Sequence, residues 1–592
     1  MKPTHDRQWK GFQKNNPTAI YWRHMLMGAD ISPDGVLRIK DGLDLNAQNL
    51  KNVATPVVGA TIVVAASDSK WKDAVPEEYR CDGVNDQEVI NRAINALPSP
   101  GTTNIRGSGE VEEPSQGGCV LLLDGTYNIT APIDLTGKSN VMLKGQGAST
   151  VINNLATDGS HAIQAINSTA KNRVVIKDLL IQGNPNSGDG IHIEGISYNL
   201  IDGVFCIYNG GSGLYVDQAP DGTGQENRII SNSQFLFNCR HGIEVLNVHE
   251  TLITGCHMEE NDQAGFYAYD AFDQHLCNCS IEDNYGTYQV EVENARQLKI
   301  ANCMIEGDVR IAPYTDSAYI HEITGTEMGT LVYEGSLTNS YLYVAGSNLR
   351  LGNVKAALVH LSSCHVILPG AGDPVVHEIG YSYVLAGCQV RGGDVTTISL
   401  AASDAVAIIS GSLLYGCKPT IQAAAGANTT RLIISGSLLR VPAIDVSGVH
   451  LVQVGSSIIS GNGSLSISGG DYVEVTGNLL WGVGYPLTLS LSSSDGLFAN
   501  NYLTSGVSVS LSGIKARGNK GYATENSGSA TIDASGSVTV DHGLISAPSI
   551  VIVTPRGNIG SVWVTNVTST QFTINCSSAP SSDTQVDWYA EV

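Results

Sequence analysis

The sequence predicts an all-β chain: a single-stranded parallel β-solenoid, preceded by one short capping helix and followed by a small antiparallel β domain. Three observations predict it. A segment ending in Asn or Asp recurs along the middle of the chain: "VIKDLLIQGN" to Asn184, "LIDGVFCIYN" to Asn209, "IISNSQFLFN" to Asn238, "LITGCHMEEN" to Asn261, "HLCNCSIEDN" to Asn284 and "KIANCMIEGD" to Asp308. Most copies are followed by a glycine and an alternating run: "GIHIE" from Gly190, "GLYVD" from Gly213, "GIEVL" from Gly242 and "GFYAY" from Gly265. The composition agrees, because 65 glycines and only 15% charged residues are too apolar for disorder and too glycine-rich for a helical protein.

The elements follow in chain order. Residues 58–110 hold a lead-in strand and the chain's best helix pattern, "CDGVNDQEVINRAINALP". Asn85 is expected to cap it with Glu88 closing a capping box, and Val89, Ile90, Ala93, Ile94 and Leu97 form its apolar stripe. A solenoid has an open end whose core needs a cover, and a short amphipathic helix supplies one. Residues 111–525 are the solenoid. Ile230, Ile253, Leu276 and Ile300 recur at about 23 residues, a length that suits one coil of two or three short strands.

The repeated asparagines are expected to stack as a ladder. Cys256, Cys279 and Cys303 share one inward register, and Met258, Ile281 and Ile305 another. The twelve cysteines are therefore expected to be buried free thiols, and no zinc-type spacing appears. "IISGSLL" ending at Leu414 and again at Leu439 opens a charge-poor stretch that reads as a stalk. Longer alternating runs over 526–592 predict the antiparallel domain.

Charge narrows the function classes. A net charge of −23 opposes nucleic acid and anionic membranes as partners. No run reaches the roughly 20 apolar residues of a membrane span. The start "MKPTHDRQWKGF" lacks a signal-peptide core, so synthesis in a cytosol without that signal is expected.

Candidate chemistry lies on the strands after the glycines. Ile243 and Val245 point inward, so Glu244 points outward. The outward set two residues after each glycine is His192, Tyr215, Glu244 and Tyr267; the set four residues after is Glu194, Asp217, Leu246 and Tyr269. Carboxylates, histidine and tyrosines in stacked coils suit carbohydrate, with acids for proton transfer and rings for sugar faces. Coil spacing puts Glu194 and Asp217 roughly 5 Å apart, and Asp217 and Glu244 roughly 8 Å apart. The first separation fits a retaining glycosidase and the second an inverting one. A second acidic column, Glu259, Glu282 and Glu306, is either a solvated face or a place for calcium; no metal is required by the main site.

The opening helix with "GGCVLLLDGTYNI" resembles the first coil of the pectate-lyase-like right-handed parallel β-helix superfamily, to which phage tailspikes and polysaccharide depolymerases belong. "LDLNAQNLKNVATP", from Leu43, resembles linker segments of phage tail fibres, and the C-terminal run resembles small domains ending such fibres. The resemblance implies a right-handed helix, a homotrimer, action on polysaccharide, and a virion or extracellular location with residues 1–57 as an attachment segment to a tail or baseplate. Locally, "RHGIEV" from Arg240 and "SGLYVD" are similar to two coils of mannuronan C-5 epimerases, which implies a catalytic role for Asp217. That family's catalytic tyrosine and histidine are absent; Asp189 and Glu194 stand there.

The expected assignment is thus Asp217 and Glu244 as acid–base pair, Glu194 as reserve partner, and His192, Tyr215, Arg240, His241, Tyr267 and Tyr269 as substrate-binding residues. Acids outnumber bases between Asp189 and Arg310, which favours hydrolysis of a neutral or weakly charged glycan. A polyuronate lyase or epimerase, and a non-catalytic glycan-binding fibre, remain the alternatives.

Overall fold

The computed structural model describes residues 29–31, 37–39, 60–97, 117–219, 222, 227–314, 318–368, 375–392, 396–423, 429–441, 443–460, 463–482 and 486–592. The stretch Leu43–Pro56 lies outside them. The chain divides into two units, 1–58 and 59–592. Within the first, Ala29–Ile31 pairs antiparallel with Leu37–Ile39.

The second unit is a parallel β-solenoid of about 16 turns. It begins where Ala60–Val64 pairs in parallel with Gly118–Leu122 and continues to Lys515–Arg517. Each middle coil presents three strands. The front sheet contains Ile191–Ser197, Leu214–Asp217, Ile243–Leu246, Phe266–Tyr269, Val290–Ala295 and Val309–Pro313. A back sheet contains Arg228–Ser231, His249–Thr254 and Phe272–Cys277. A short sheet contains Gln234–Leu236, His257–Glu259, Ser280–Glu282 and Met304–Glu306. Inward residues of all three form one continuous apolar core, with Phe235, Ile243, Val245, Met258 and Phe266 fully buried.

The repeated Asn and Gly are one device. Asn209 donates its amide to Asn238 Oδ1 at 2.8 Å, Asn238 to Asn261 at 2.8 Å, and Asn261 to Asn284 at 2.7 Å. The ladder ends on Gln289 Oε1, 2.6 Å from Asn284 Nδ2. The preceding coil's glycine packs on each amide. A Cβ at Gly190, Gly213, Gly242 or Gly265 would stand 2.8–3.0 Å from the Nδ2 of Asn209, Asn238, Asn261 or Asn284. A side chain there would push the buried amide off its partners, each at the cost of an unmet hydrogen bond, about 1–3 kcal/mol. Asn184 does not join; its amide donates to the carbonyls of Asn154 and Ala156.

Cys256, Cys279 and Cys303 stack inward as expected, and all twelve cysteines are free. Their column continues through Thr326, Ser347, Cys364, Cys388, Ser412, Ser437 and Ser457 to a second asparagine ladder, Asn478–Asn501–Asn519. Small hydrogen-bonding side chains are interchangeable at this turn because each needs only to bond a neighbouring coil's backbone.

The capping helix spans Gln87–Ala96 and buries Ile90, Ala93 and Ile94 against the first coils. The expected Asn85 cap is corrected: the residue before the first turn is Asp86, and it makes no side-chain cap bond. Asn85 sits in the left-handed region at φ 53 and accepts from Thr130 Oγ1 instead. Asp86 is turned toward the solenoid, accepting the backbone N–H of Gly83 and Asn128 at 2.9 and 2.8 Å. Tertiary contacts thus outbid the local cap.

Beyond the solenoid, Glu525–Ile532, Ile550–Pro555 and Thr584–Glu591 form one antiparallel sheet and Ser537–Asp541, Val562–Thr565 and Gln571–Cys576 another. They enclose a separate core around Phe572, Ile574, Val586 and Trp588. Along the stalk, Leu413, Leu438, Ile458, Leu479 and Tyr502 stand in one outward column. Leu438, Ile458 and Tyr502 are 38–45% exposed, an apolar stripe that ends at Lys520, whose Nζ lies 4.7 Å over the Tyr502 ring. Among the described residues, no helix is long and apolar enough to cross a membrane.

Candidate functional site

The front sheet carries the two outward columns in the predicted register. His192 lies opposite Tyr215, Tyr215 opposite Glu244, and Glu244 opposite Tyr267. Glu194 lies opposite Asp217, and Leu246 opposite Tyr269. Both columns run on into residues not singled out from the sequence: Tyr267 faces Glu291 and Tyr269 faces Glu293. Arg240 and His241 sit in the turn just before the strand of Glu244.

Three of these side chains are less open than the alternation implies. Glu244 is in the outward register but only 2% exposed, and His241 and His192 are likewise buried. Glu244 is sealed by neighbours. Ser212 of the preceding coil donates its hydroxyl to Oε2 at 2.6 Å, and Arg240 donates to Oε1 at 2.8 Å. Burial pushes the Glu244 carboxyl up, against the pull of Ser212 and Arg240.

His192 is not free to meet a ligand edge-on. Its Nδ1 is 2.7 Å from Asp189 Oδ2 and its Nε2 is 2.9 Å from Glu194 Oε1. Its ring lies between His161 and Tyr215, with centroids 4.0 and 4.4 Å away. Burial pushes the His192 imidazole down, but the bonds to Asp189 and Glu194 overcome this and leave it raised. Asp189 shows the mirror image: burial raises its carboxyl, and the hydrogen bonds to His161 and His192 outweigh that and hold it well below the usual range. Asp189 Oδ1 also accepts the Ser212 N–H at 2.6 Å. Ser212 therefore joins the Asp189–His192–Glu194 group to Glu244. Asp217 accepts from Tyr215 OH at 3.2 Å, Gln218 N–H at 2.7 Å and Asn247 Nδ2 at 3.1 Å.

An open groove of about 490 Å³ runs along the later coils of this face. Its lining includes Arg240, His241, Glu244, Tyr267, Tyr269, Glu291 and Glu293. Asp217 and Glu194 lie on the coils preceding it. His241 stacks on Tyr267 with centroids 4.7 Å apart. Burial and the adjacent Arg240 push the His241 imidazole down to about 4, so it is neutral at ordinary pH. Glu291 and Glu293 share Arg310 at 3.0 and 2.6 Å, with Glu334 at 2.9 Å on the same guanidinium.

Sequence reasoning missed Asp189, Ser212, Glu291 and Glu293 as site members. Glu291 and Glu293 were findable, since "YQVEVEN" continues the alternation one coil further. Ser212 was not, because its place depends on a turn conformation.

The acidic column also forms: Glu259 faces Glu282 and Glu282 faces Glu306. His257 reaches into it, its Nε2 2.8 Å from Glu282 and 3.4 Å from Glu259. His257, Glu259 and Glu282 are one set able to hold a metal, and His161, Asp189 and His192 are another. An imidazole among the donors is unlike the all-oxygen shell of calcium.

A family model described as a right-handed β-helix region matches residues 139–303 and 223–327. The matched residues lie within the observed parallel β-solenoid. No curated protein matches the sequence. Among solved structures, the chain is similar to ORF18 of Geobacillus virus E2, at 16% identity over 71% of this chain and 68% of that one, with a TM-score of 0.33. It is similar to the tailspike protein gp49 of Pseudomonas phage LKA1, at 15% identity over 86% and 93% of the two chains, TM-score 0.31. The mannuronan C-5 epimerase AlgE6 A-module of Azotobacter vinelandii shares 17% identity over 74% and 96%, TM-score 0.27.

Proposed function

We propose that the protein is a polysaccharide-cleaving enzyme that hydrolyses glycosidic bonds in the front groove by carboxylate acid–base chemistry. The observation that carries this reading is Glu244: a buried carboxyl whose burial raises it, lining an open groove beside Tyr267 and Tyr269 of the next coil. Glu244 donates its proton to the departing glycosidic oxygen. Asp217, on the coil before the groove, takes a proton from the attacking water, whose oxygen bonds the anomeric carbon as the glycosidic bond breaks. Their separation of roughly 8 Å leaves room for that water and corresponds to inversion. Glu194, directly opposite Asp217, is the reserve partner for a retaining route. Tyr267 and Tyr269 offer rings to sugar faces, and Arg240 has the exposure to contact hydroxyls.

One observation favours a second reading. His241 is a neutral imidazole whose Nδ1 has no hydrogen-bond partner, next to Arg240. A base beside a guanidinium is the equipment of β-elimination or epimerisation on a uronate. Digestion of a polysaccharide library with mass analysis of the products separates the readings. One water gained per cut is expected. Unsaturated fragments with no water gained select the lyase, and a changed glycan without fragments selects the epimerase. Binding without any change leaves a glycan-binding fibre.

The proposed setting is a virion-associated or extracellular homotrimer. The exposed apolar stripe of Leu438 and Ile458 supports association, since partner chains would remove it from water. Sedimentation at the mass of one chain, 62.4 kDa, would remove the trimer.

A further inference from the structure

We propose that the front groove selects a glycan bearing protonated amines, that is, a polymer containing unacetylated amino sugars. This rests on the reading of the groove as a glycan site and names its substrate class. The inference comes from what the lining can donate and accept. Glu291 and Glu293 bring two carboxylates to the groove lining, beside the hydrogen-bonded pair of Glu244 and Arg240. Arg240 is already committed to Glu244 at 2.8 Å. Behind the far end, one further guanidinium, Arg310, is shared among Glu291, Glu293 and Glu334, so negative charge remains in excess there too.

Hydrogen bonding points the same way. His241 is 6% exposed and lines the groove, and its Nδ1 has no partner. On a neutral ring whose other nitrogen bonds the Ala264 backbone, that atom is an unpaired acceptor, itself buried beneath the groove surface. Tyr267 spends its hydroxyl proton on Glu293 at 3.2 Å. The Glu291 and Glu293 end of the lining is therefore rich in acceptors, while the donors of Arg240, Gln263 and Tyr269 lie elsewhere along it. An ammonium is all donor and positively charged, and it matches such a lining. A uronate carboxylate is all acceptor, and it meets the like charges of Glu291 and Glu293. An acetamido group is neutral and brings one N–H in place of three.

The test compares three oligosaccharides of equal length by calorimetry with the full chain: a glucosamine oligomer, its fully N-acetylated counterpart and a mannuronate oligomer. Measurement at mildly acidic pH keeps the sugar amines protonated. The glucosamine oligomer is expected to bind roughly tenfold or more tighter than the acetylated one, with affinity falling as salt is added. The mannuronate oligomer is expected not to bind. In the double variant Glu291→Gln and Glu293→Gln the preference should fall to near unity, while Arg310 keeps Glu334 as a partner. Diffuse attraction to a chain of net charge −23 would survive that variant. A preference that persists in it therefore overturns the assignment. Equal affinity for the amine and acetylated forms, tighter binding of mannuronate, or no binding of the amine form also overturns it. Catalysis is read separately: amine binding without cleavage of any glycan removes the hydrolase reading and leaves this one standing.

Discussion

Glu244→Gln and Asp217→Asn are each expected to lower cleavage of the cognate glycan by about 10²–10⁴-fold while the solenoid stays folded. Glutamine preserves the volume of Glu244 and keeps an oxygen to accept the Ser212 hydroxyl, so the strand Ile243–Leu246 loses no packing. What it loses is a transferable proton. Asparagine at 217 likewise retains an oxygen for the Gln218 N–H but is too weak a base to activate water. Initial rates, with circular dichroism to confirm folding, check both. Near wild-type rates in both variants would show that neither carboxyl takes part. Glu291 and Glu293, which line the same groove, would then be the carboxylates to test.

Asp189→Asn is expected to have the largest effect on stability, about 3–5 kcal/mol in the coils around it. The substitution leaves a raised, buried His192 with Glu194 as its one remaining carboxylate, and it weakens the tie through Ser212 to Glu244. The pH dependence has a definite sign. Asp189 is depressed in the fold, so its contribution is present above the unfolded value of about 3.9 and is lost as pH falls through its lower folded value. His192 is raised, so its contribution is complete below about 6.5 and is lost as pH rises through its folded value. Thermal melts across pH should therefore show highest wild-type stability between these limits, with both slopes flattened in the variant. A variant as stable as the parent, with the same pH profile, would contradict this account of the network.

The fold was legible because a solenoid writes its geometry as a period. The spacing of Ile230, Ile253, Leu276 and Ile300 already specifies which residues stack, and the parallel registers Ile230↔Ile253, Ile253↔Leu276 and Leu276↔Ile300 follow it. The same period aligned Glu194 with Asp217 and Glu244 with Tyr267. What alternation could not express is depth. It says that Glu244 points outward, but not that Ser212 and Arg240 close over it. Ser212 and Asp189 lie in turns, where there is no alternation to read. Asn85 failed as a cap for a related reason: its position matched a local motif, while the bonds available from Thr130 and to Asp86 came from strands about forty residues away in the chain.

The most direct test of the central claim is the mass of products released from a polysaccharide library by the wild-type protein, with Glu244→Gln run in parallel. The account predicts fragments each heavier by one water per cut, with no absorbance from unsaturated sugars, and no fragments from the variant. Unsaturated fragments, or equal hydrolysis by the variant, would contradict it.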